Sequence, residues 1–304
     1  MADERTLLAI IGATASGKSA LAMEVARKTG AEILSVDSMQ VYRGMDVGTA
    51  KPTVEERREV GHHLIDVADP NEPYSAARFV EMADGVIEKS RRPLIATGGT
   101  PMYFKALFDG LFEGPGADES VRARLRKLPG AELHEKLKQL DPAAAERIHV
   151  ADHKRLVRAL EVYELTGKPI SQLQQQWEKQ QPARHSAVWV GLAWERDELN
   201  RRINARVKEM ISRGWVEEVR ELLRKYGALS KTAAEATGYA ELIEYVSGKI
   251  SLEDAVEQIK IATRQLARRQ MKWFRRFAHV KWLNGTEPLQ NNVEAVLQLW
   301  DQRK

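Results

Sequence analysis

The chain has 304 residues, with 47 Lys+Arg against 43 Asp+Glu, 43% hydrophobic and 30% charged residues, and no Cys. These are the values of a globular chain long enough for one large domain or two ordinary ones. They exclude disulfide scaffolds, cysteine nucleophiles, iron–sulfur clusters and cysteine-ligated zinc. A charged start, Met1-Ala2-Asp3-Glu4-Arg5, and the lack of an apolar run of membrane-spanning length predict a soluble, cytoplasmic protein.

In chain order, Leu7 to Ile11 reads as a buried strand and Lys18 to Thr29 as a helix capped by Gly30. Glu32 to Val36, His63 to Val67 and Pro93 to Thr97 read as further strands. Short apolar runs separated by helical patterns predict a parallel sheet that binds ligands at the carboxyl ends of its strands. After the break Gly110 to Gly116, the pattern from Ser120 to about Gln176 is almost wholly helical. Trp189 to Leu192 returns to the sheet, and helices follow over Arg196–Tyr226, Ser230–Val246 and Leu252–Phe277. The expected fold class is therefore α/β, a P-loop NTPase-like parallel sheet core with a helical insertion domain. Residues 1–113 are the first part of the core, 114–186 the insertion, and 187–304 the return to the core.

Gly12-Ala13-Thr14-Ala15-Ser16-Gly17-Lys18-Ser19 fits the phosphate-loop pattern G-x-x-x-x-G-K-[ST], with a strand before it and a helix after it. Glycines let the backbone wrap with several N–H groups facing inward, and the helix N-terminus adds positive potential. Lys18 can neutralise a terminal phosphate and Ser19 can ligate Mg²⁺. The loop predicts a diphosphate or triphosphate ligand. Asp37, Asp66 and Thr100 fall at the ends of the second, third and fourth strands, so all three are expected in one crevice. Either aspartate could assist Mg²⁺, and on these residues alone a small-molecule kinase stays open.

The next block, Asp37-Ser38-Met39-Gln40-Val41-Tyr42-Arg43-Gly44-Met45-Asp46-Val47-Gly48-Thr49-Ala50-Lys51-Pro52, is not a common sequel in nucleotide kinases. With the phosphate loop, His62-His63-Leu64-Ile65-Asp66, Gly98-Gly99-Thr100-Pro101-Met102-Tyr103, Arg155 to Val162, and Arg264 to Gln270 with Trp273-Phe274-Arg275, it resembles the tRNA dimethylallyltransferase (tRNA isopentenyltransferase) family. The resemblance spans nearly the whole chain. It implies transfer of a dimethylallyl group from dimethylallyl diphosphate to N6 of the adenosine 3′-adjacent to the anticodon of tRNA, with Mg²⁺, in an enzyme for which a monomer suffices. The phosphate loop, Gly12 to Ser19, would then hold the donor diphosphate rather than ATP.

By the same resemblance Asp37 matches the family's general base and Thr100 the threonine that holds the reacting amine. A Mg²⁺ ligand or helix cap is the alternative for Asp37, and a helix cap for Thr100. Ser38, Met39 and Gln40 match contacts to the flipped base and its neighbours; Gln40 has the donor–acceptor pair to read an adenine edge, or it caps a loop. The stretch Asp152 to Arg158, with Lys154 and Arg155, matches another tRNA-contacting segment, and Arg122 matches a family arginine less specifically. Solvated helix faces are the alternative there.

His62 and His63 point to opposite sides of a strand, which argues for packing or polar contacts rather than a metal site. The net charge of +4 is uneven, because Gln258 to Thr286 contains no acid. Arg264, Arg268, Arg269, Lys272, Arg275 and Arg276 share one helical face, while Leu266, Ala267, Trp273, Phe274 and Phe277 lie opposite. The first set is expected to track RNA phosphates or simply be solvated, the second to be core. Against the family pattern, Ala13 replaces a usual Pro, Ala151 a usual Asn, and Thr237-Gly238-Tyr239-Ala240-Glu241 lacks a usual Lys.

Overall fold

The computed structural model describes residues 7–111, 114–178 and 183–301, with the side chains of 175–178 left aside. It divides into two compact units: Met1–Phe108 with His185–Lys304, and Asp109–Arg184. The first unit runs β1 (Leu7–Gly12), α1 (Lys18–Thr29), β2 (Glu32–Ser35), α2 (Val54–Glu59), β3 (His62–His63), α3 (Ala76–Lys89), β4 (Leu94–Thr97) and α4 (Pro101–Asp109). The second unit holds α5 (Glu119–Leu125), α6 (Gly130–Leu140), α7 (Pro142–Arg147), α8 (His153–Thr166) and α9 (Ile170–Glu178). The chain then completes the first unit with β5 (Ala187–Ala193), α10 (Arg196–Ser212), α11 (Trp215–Tyr226), α12 (Lys231–Ala234), α13 (Tyr239–Val246), α14 (Leu252–Phe274), β6 (Lys281–Asn284) and α15 (Leu289–Asp301).

The six strands form one parallel sheet in the order β3-β2-β4-β1-β5-β6. Every residue of β1 is buried, as a strand covered on both faces requires. Its side chains alternate between two cores. Leu8 and Ile10 pack with Leu21 and Val25 of α1 and Val293, Val296 and Trp300 of α15. Leu7, Ala9 and Ile11 face the larger core, with Phe104 of α4, Ile203 of α10, Trp215 of α11 and Phe274 of α14. Truncating one of these fully buried aliphatic side chains to Ala costs about 2–5 kcal/mol. The sheet places β1 between β4 and β5, so the loops after β1, β2 and β4 open at one end of it.

Several expectations change, among them the helix expected over 230–246, which breaks before Gly238, φ 95°, into α12 and α13. The strand expected over 63–67 is only His62–His63, because Leu64 and Asp66 take positive φ of 62° and 57° and turn the chain out of the sheet. The helix expected over 196–226 breaks at Gly214, φ 91°, into α10 and α11. Beyond Phe277 the chain adds β6 and α15, which the helical reading missed; Val190 pairs with Lys281 and Ala193 with Asn284.

The second unit is all helix among its described residues, around Leu133, Leu137, Leu156 and Leu160. Its ends are capped by side chains: Asp118 accepts from Ser120 and Val121 N–H, Asp141 from Ala144 N–H, and Asp152 from Arg155 N–H. Gly167 closes α8 in the left-handed region at φ 67°.

Candidate active site

The phosphate loop leaves β1 at Gly12 and enters α1 at Lys18, and the rest of the first unit holds it from outside. Arg202 of α10 donates from Nε to the Ala15 carbonyl at 2.9 Å and lies 4.2 Å above the Trp194 ring. Trp194 in turn donates from Nε1 to the Ser16 carbonyl at 2.9 Å. Carbonyls bound from behind leave the loop's amides available to an anion, apart from those of Thr14 and Ser16, which donate to Gln270 Oε1 and the Ala13 carbonyl. A Cβ on Gly12 would lie 2.7 Å from Ser16 Oγ, so only glycine lets the loop close this tightly. Lys18 Nζ donates to the Ala13 carbonyl at 3.2 Å. Burial and then the neighbouring Arg206 bring its ammonium down to about 8, with Asp37 pulling the other way.

The loop opens into a cavity of about 630 Å³ that also receives Asp37, Ser38, Gly98, Gly99 and Thr100. Asp37 Oδ1 accepts from Met39 N–H at 2.8 Å and Gln40 N–H at 3.3 Å. Oδ2 accepts no hydrogen bond among the described residues and lies beside Gly99, where a Cβ would come within 3.4 Å of it. Thr100 Oγ1 accepts from Ser38 N–H at 3.0 Å and donates to Ser38 Oγ at 3.1 Å, which leaves it one lone pair for an N–H donor. The cavity therefore carries a cation and a ring of amides on one side and an unengaged carboxylate oxygen with a hydroxyl acceptor on the other.

The Asp37-to-Pro52 loop is fastened at three places. Asp37 Oδ1 holds its start. Lys51, its ammonium almost fully buried, donates to the Tyr42 carbonyl at 2.7 Å and to Asp46 and Asp66 at 2.6 Å each. Glu218 of α11 accepts from Asp46, Val47 and Gly48 N–H and from the Tyr239 hydroxyl. Trp215 packs so closely that a Cβ on Gly48 or Gly238 would sit 2.1 Å or 2.0 Å from its ring.

Some expected site residues are used differently. Asp66 does not line the cavity: Lys51 and Arg57 take both its oxygens at 2.6 Å, and although burial raises its carboxyl, these two cations hold it below the usual range. Gln40 lines the cavity, but Oε1 accepts from Ser35 Oγ and Nε2 donates to the Thr49 and Ala50 carbonyls, so its amide is engaged in bracing the loop. Met39 lines the cavity and also packs on the larger core. His62 bonds the Val60 carbonyl and His63 pairs with Glu32, the polar contacts expected of them.

In the second unit, Arg122 and Arg158 close on Glu161, which is fully buried. Arg122 donates at 2.8 and 3.0 Å and Arg158 at 2.6 Å, with Asp118 N–H adding a fourth bond at 2.8 Å. Burial raises the Glu161 carboxyl, but these bonds and the Arg158 charge bring it below its ordinary value. Asp152 caps α8, while Lys154 and Arg155 are exposed in its first turn.

Arg206 of α10 and Arg213 just past its end escaped the sequence reading, whereas Arg269 of α14 belongs to the basic face expected from it; all three line the cavity. Arg206 and Arg269 make no hydrogen bond or salt bridge among the described residues; burial lowers the Arg206 guanidinium and Asp37 opposes that. The only signal was the spacing of Arg202 and Arg206, one turn apart on an arginine-rich helix. On α14, Arg268, Arg269 and Lys272 are exposed, as are Arg275 and Arg276 just past its end, and Arg264 donates to Asn204 Oδ1 at 2.6 Å. Ala267 and Phe274 are core, Phe274 within 5.8 Å of Phe104 and 6.0 Å of Phe277.

A parallel sheet with a braced phosphate loop, facing an aspartate across one cleft, defines an α/β phosphate-loop protein. Residues 40–277 match the family model described as IPP transferase, and residues 5–66 match the one described as isopentenyl transferase. The tRNA dimethylallyltransferase of Pelotomaculum thermopropionicum is 44% identical over 91% of this chain and 90% of its own length. That of Geobacter metallireducens is 45% identical over 92% and 93%. Among solved structures, the full-length tRNA isopentenylpyrophosphate transferase of Bacillus halodurans aligns with TM-score 0.72 at 35% identity, covering 98% of both chains. A eukaryotic dimethylallyltransferase acting on tRNA aligns with TM-score 0.79 at 26% identity over 97% of this chain and 77% of that one. The chain belongs to the IPP transferase family and is a prenyltransferase of tRNA modification.

Proposed function

We propose that the cleft carries out dimethylallyl transfer with the following division of labour. The chain transfers a dimethylallyl group from dimethylallyl diphosphate to N6 of the adenosine 3′-adjacent to the anticodon of tRNA, releasing pyrophosphate. The N6 lone pair attacks C1 of the donor, the C1–O bond breaks, and its electron pair leaves on pyrophosphate. The N6 proton passes to Asp37 Oδ2, the unengaged oxygen of that carboxylate. Thr100 Oγ1 accepts the second N6–H and orients the amine. Lys18, Arg206 and the phosphate-loop amides stabilise the departing negative charge.

Ser19 lines the same cavity with a hydroxyl that makes no hydrogen bond among the described residues, which fits a Mg²⁺ shared with a diphosphate. Such an ion would supply charge neutralisation at the leaving group. A base inside an anticodon loop must leave its stack to reach Asp37. The exposed cations of α14 and of the α8 first turn, Lys154 and Arg155, are suited to the RNA backbone. This division of labour needs the residues of a single chain only, so a monomer would suffice. No described helix is long and apolar enough to cross a membrane; with a tRNA substrate this supports a cytoplasmic enzyme.

The observation that carries this reading is Asp37 Oδ2, unengaged across one cavity from Lys18 and Arg206. The test is incubation with labelled dimethylallyl diphosphate, Mg²⁺ and unmodified tRNA. Label should appear on tRNA, and Asp37→Ala should lower transfer by about 10²–10⁴-fold while still binding the donor. Phosphate release from ATP without label on tRNA would sink the reading, and near-normal turnover by Asp37→Ala would remove Asp37 from the mechanism.

A further inference from the structure

One buried amide joins the two sides of the cleft. Gln270, 6% exposed, lies on the inner face of α14. Its Oε1 accepts from Thr14 N–H at 2.8 Å, and its Nε2 donates to the Gly99 carbonyl at 2.6 Å. Thr14 belongs to the phosphate loop, and Gly99 immediately precedes Thr100. The two partners fix the orientation of the amide, since an N–H needs the oxygen and a carbonyl needs the nitrogen. A Cβ on Gly99 would sit 2.7 Å from Nε2 and 3.4 Å from Asp37 Oδ2, so the amide, this glycine and the carboxylate crowd one small space. Its neighbour Arg269 opens into the cavity and Arg268 is exposed, so the charged contacts of α14 are separate from this one.

The geometry points to Gln270 as a positioning residue that sets the distance between the diphosphate on the phosphate loop and the acceptor amine at Thr100. This rests on the roles proposed above for those two loops. Displacement at an allylic carbon requires the nucleophile held about 3–3.5 Å from C1 and in line with the C1–O bond that breaks, and a drift of ~1 Å can cost about 10²-fold in rate. An amide whose two ends grip the backbone of both loops limits that drift. Gln270 lines the cavity, but both ends of its amide are taken by backbone groups of the protein, so its loss should appear in turnover more than in binding.

The test compares Gln270→Met, of equal length without the hydrogen bonds, with Gln270→Glu. For Gln270→Met, kcat should fall about 30- to 100-fold while the KM for donor and for tRNA each stay within about threefold. Gln270→Glu in its ionised form still accepts from Thr14 N–H but cannot donate to the Gly99 carbonyl. Protonated, it replaces the amide at both ends. Burial and the adjacent Asp37 raise that carboxyl, so the rate of this variant relative to wild type should climb as pH falls from about 8 to about 5.5. Thermal unfolding of both variants separates misfolding from misplacement, and the pH ratio of Gln270→Glu decides the matter if Gln270→Met does not fold. A kcat within about threefold of wild type for Gln270→Met, a loss carried wholly by the KM for tRNA, or a constant pH ratio for Gln270→Glu would overturn the proposal. Lys18→Met and Thr100→Val keep the two readings apart: if they are inactive while Gln270→Met is not, the loops are assigned correctly and only the amide's role fails.

Discussion

The two units of the chain use arginine in opposite ways. In the helical unit, Arg122 and Arg158 converge on Glu161 and the cluster is closed: four hydrogen bonds saturate a fully buried carboxylate. In the sheet unit, Arg206 and Arg269 face a cavity without a hydrogen-bonded or salt-bridged partner among the described residues. Both pairs look alike in sequence, basic residues on helices rich in charge. The difference teaches that a cation's role is set by whether a carboxylate comes within reach. Where one bonds it directly, the charge is consumed in stability; where none does, as at Arg206, which feels the charges of Asp37 and Glu209 without a bond to either, the cation stays available to an anion.

Three measurements can break or sharpen that contrast. The largest effect is expected at Arg206. Arg206→Met removes a cation facing the leaving group and should lower kcat/KM for the donor about 10²–10³-fold, with the thermal midpoint unchanged or raised. A variant with full activity would mean that the unpaired arginine is not a ligand group.

The intermediate effect is expected at Glu161. Glu161→Gln strips two half-buried guanidinium groups of their counter-charge, and denaturant unfolding should show a loss of ~3 kcal/mol confined to the helical unit. Because the folded carboxyl lies below its unfolded value, its stabilisation is complete above the ordinary carboxylate range and fades as pH falls through the lowered value. Acid unfolding of the helical unit should therefore begin at higher pH when Arg122→Ala weakens the cluster. An unchanged acid transition would separate Arg122 from the stability of α8.

The smallest effect is expected at Lys18. With its ammonium near 8 in the free protein, binding of inorganic pyrophosphate must draw in a proton as pH passes that value. Calorimetry at about pH 8 in two buffers of different ionisation enthalpy should show uptake of about half a proton more than Lys18→Met does. Equal uptake by the two proteins would place the Lys18 titration elsewhere.

Much of the cleft was legible before any coordinates, and for local reasons. The phosphate loop is contiguous, and its glycines and Lys18 act within one turn of backbone and one helix N-terminus. Asp37 and Thr100 stand at strand ends, which apolar runs mark well. Asp66 shows where such reasoning stops: the apolar run up to it implied a strand, but positive φ at Leu64 and Asp66 turned the chain away, and Lys51 and Arg57 consumed the carboxylate. The strand β6 was lost because its four residues follow a long basic helix and lie on the sheet edge, half exposed, without a buried strand's apolar run.

The chain's own pattern determined the class of sheet, the anion-binding loop and the carboxylate that faces it, since each rests on neighbours within a few residues. Tertiary structure alone decided which charges are spent and which are free, and how the loops are spaced. Gln270 meets Thr14 across 256 residues and Gly99 across 171. No periodicity carries information over such distances, because a hydrogen bond is specified by the meeting of two surfaces and each surface is assembled only when the core beneath it packs.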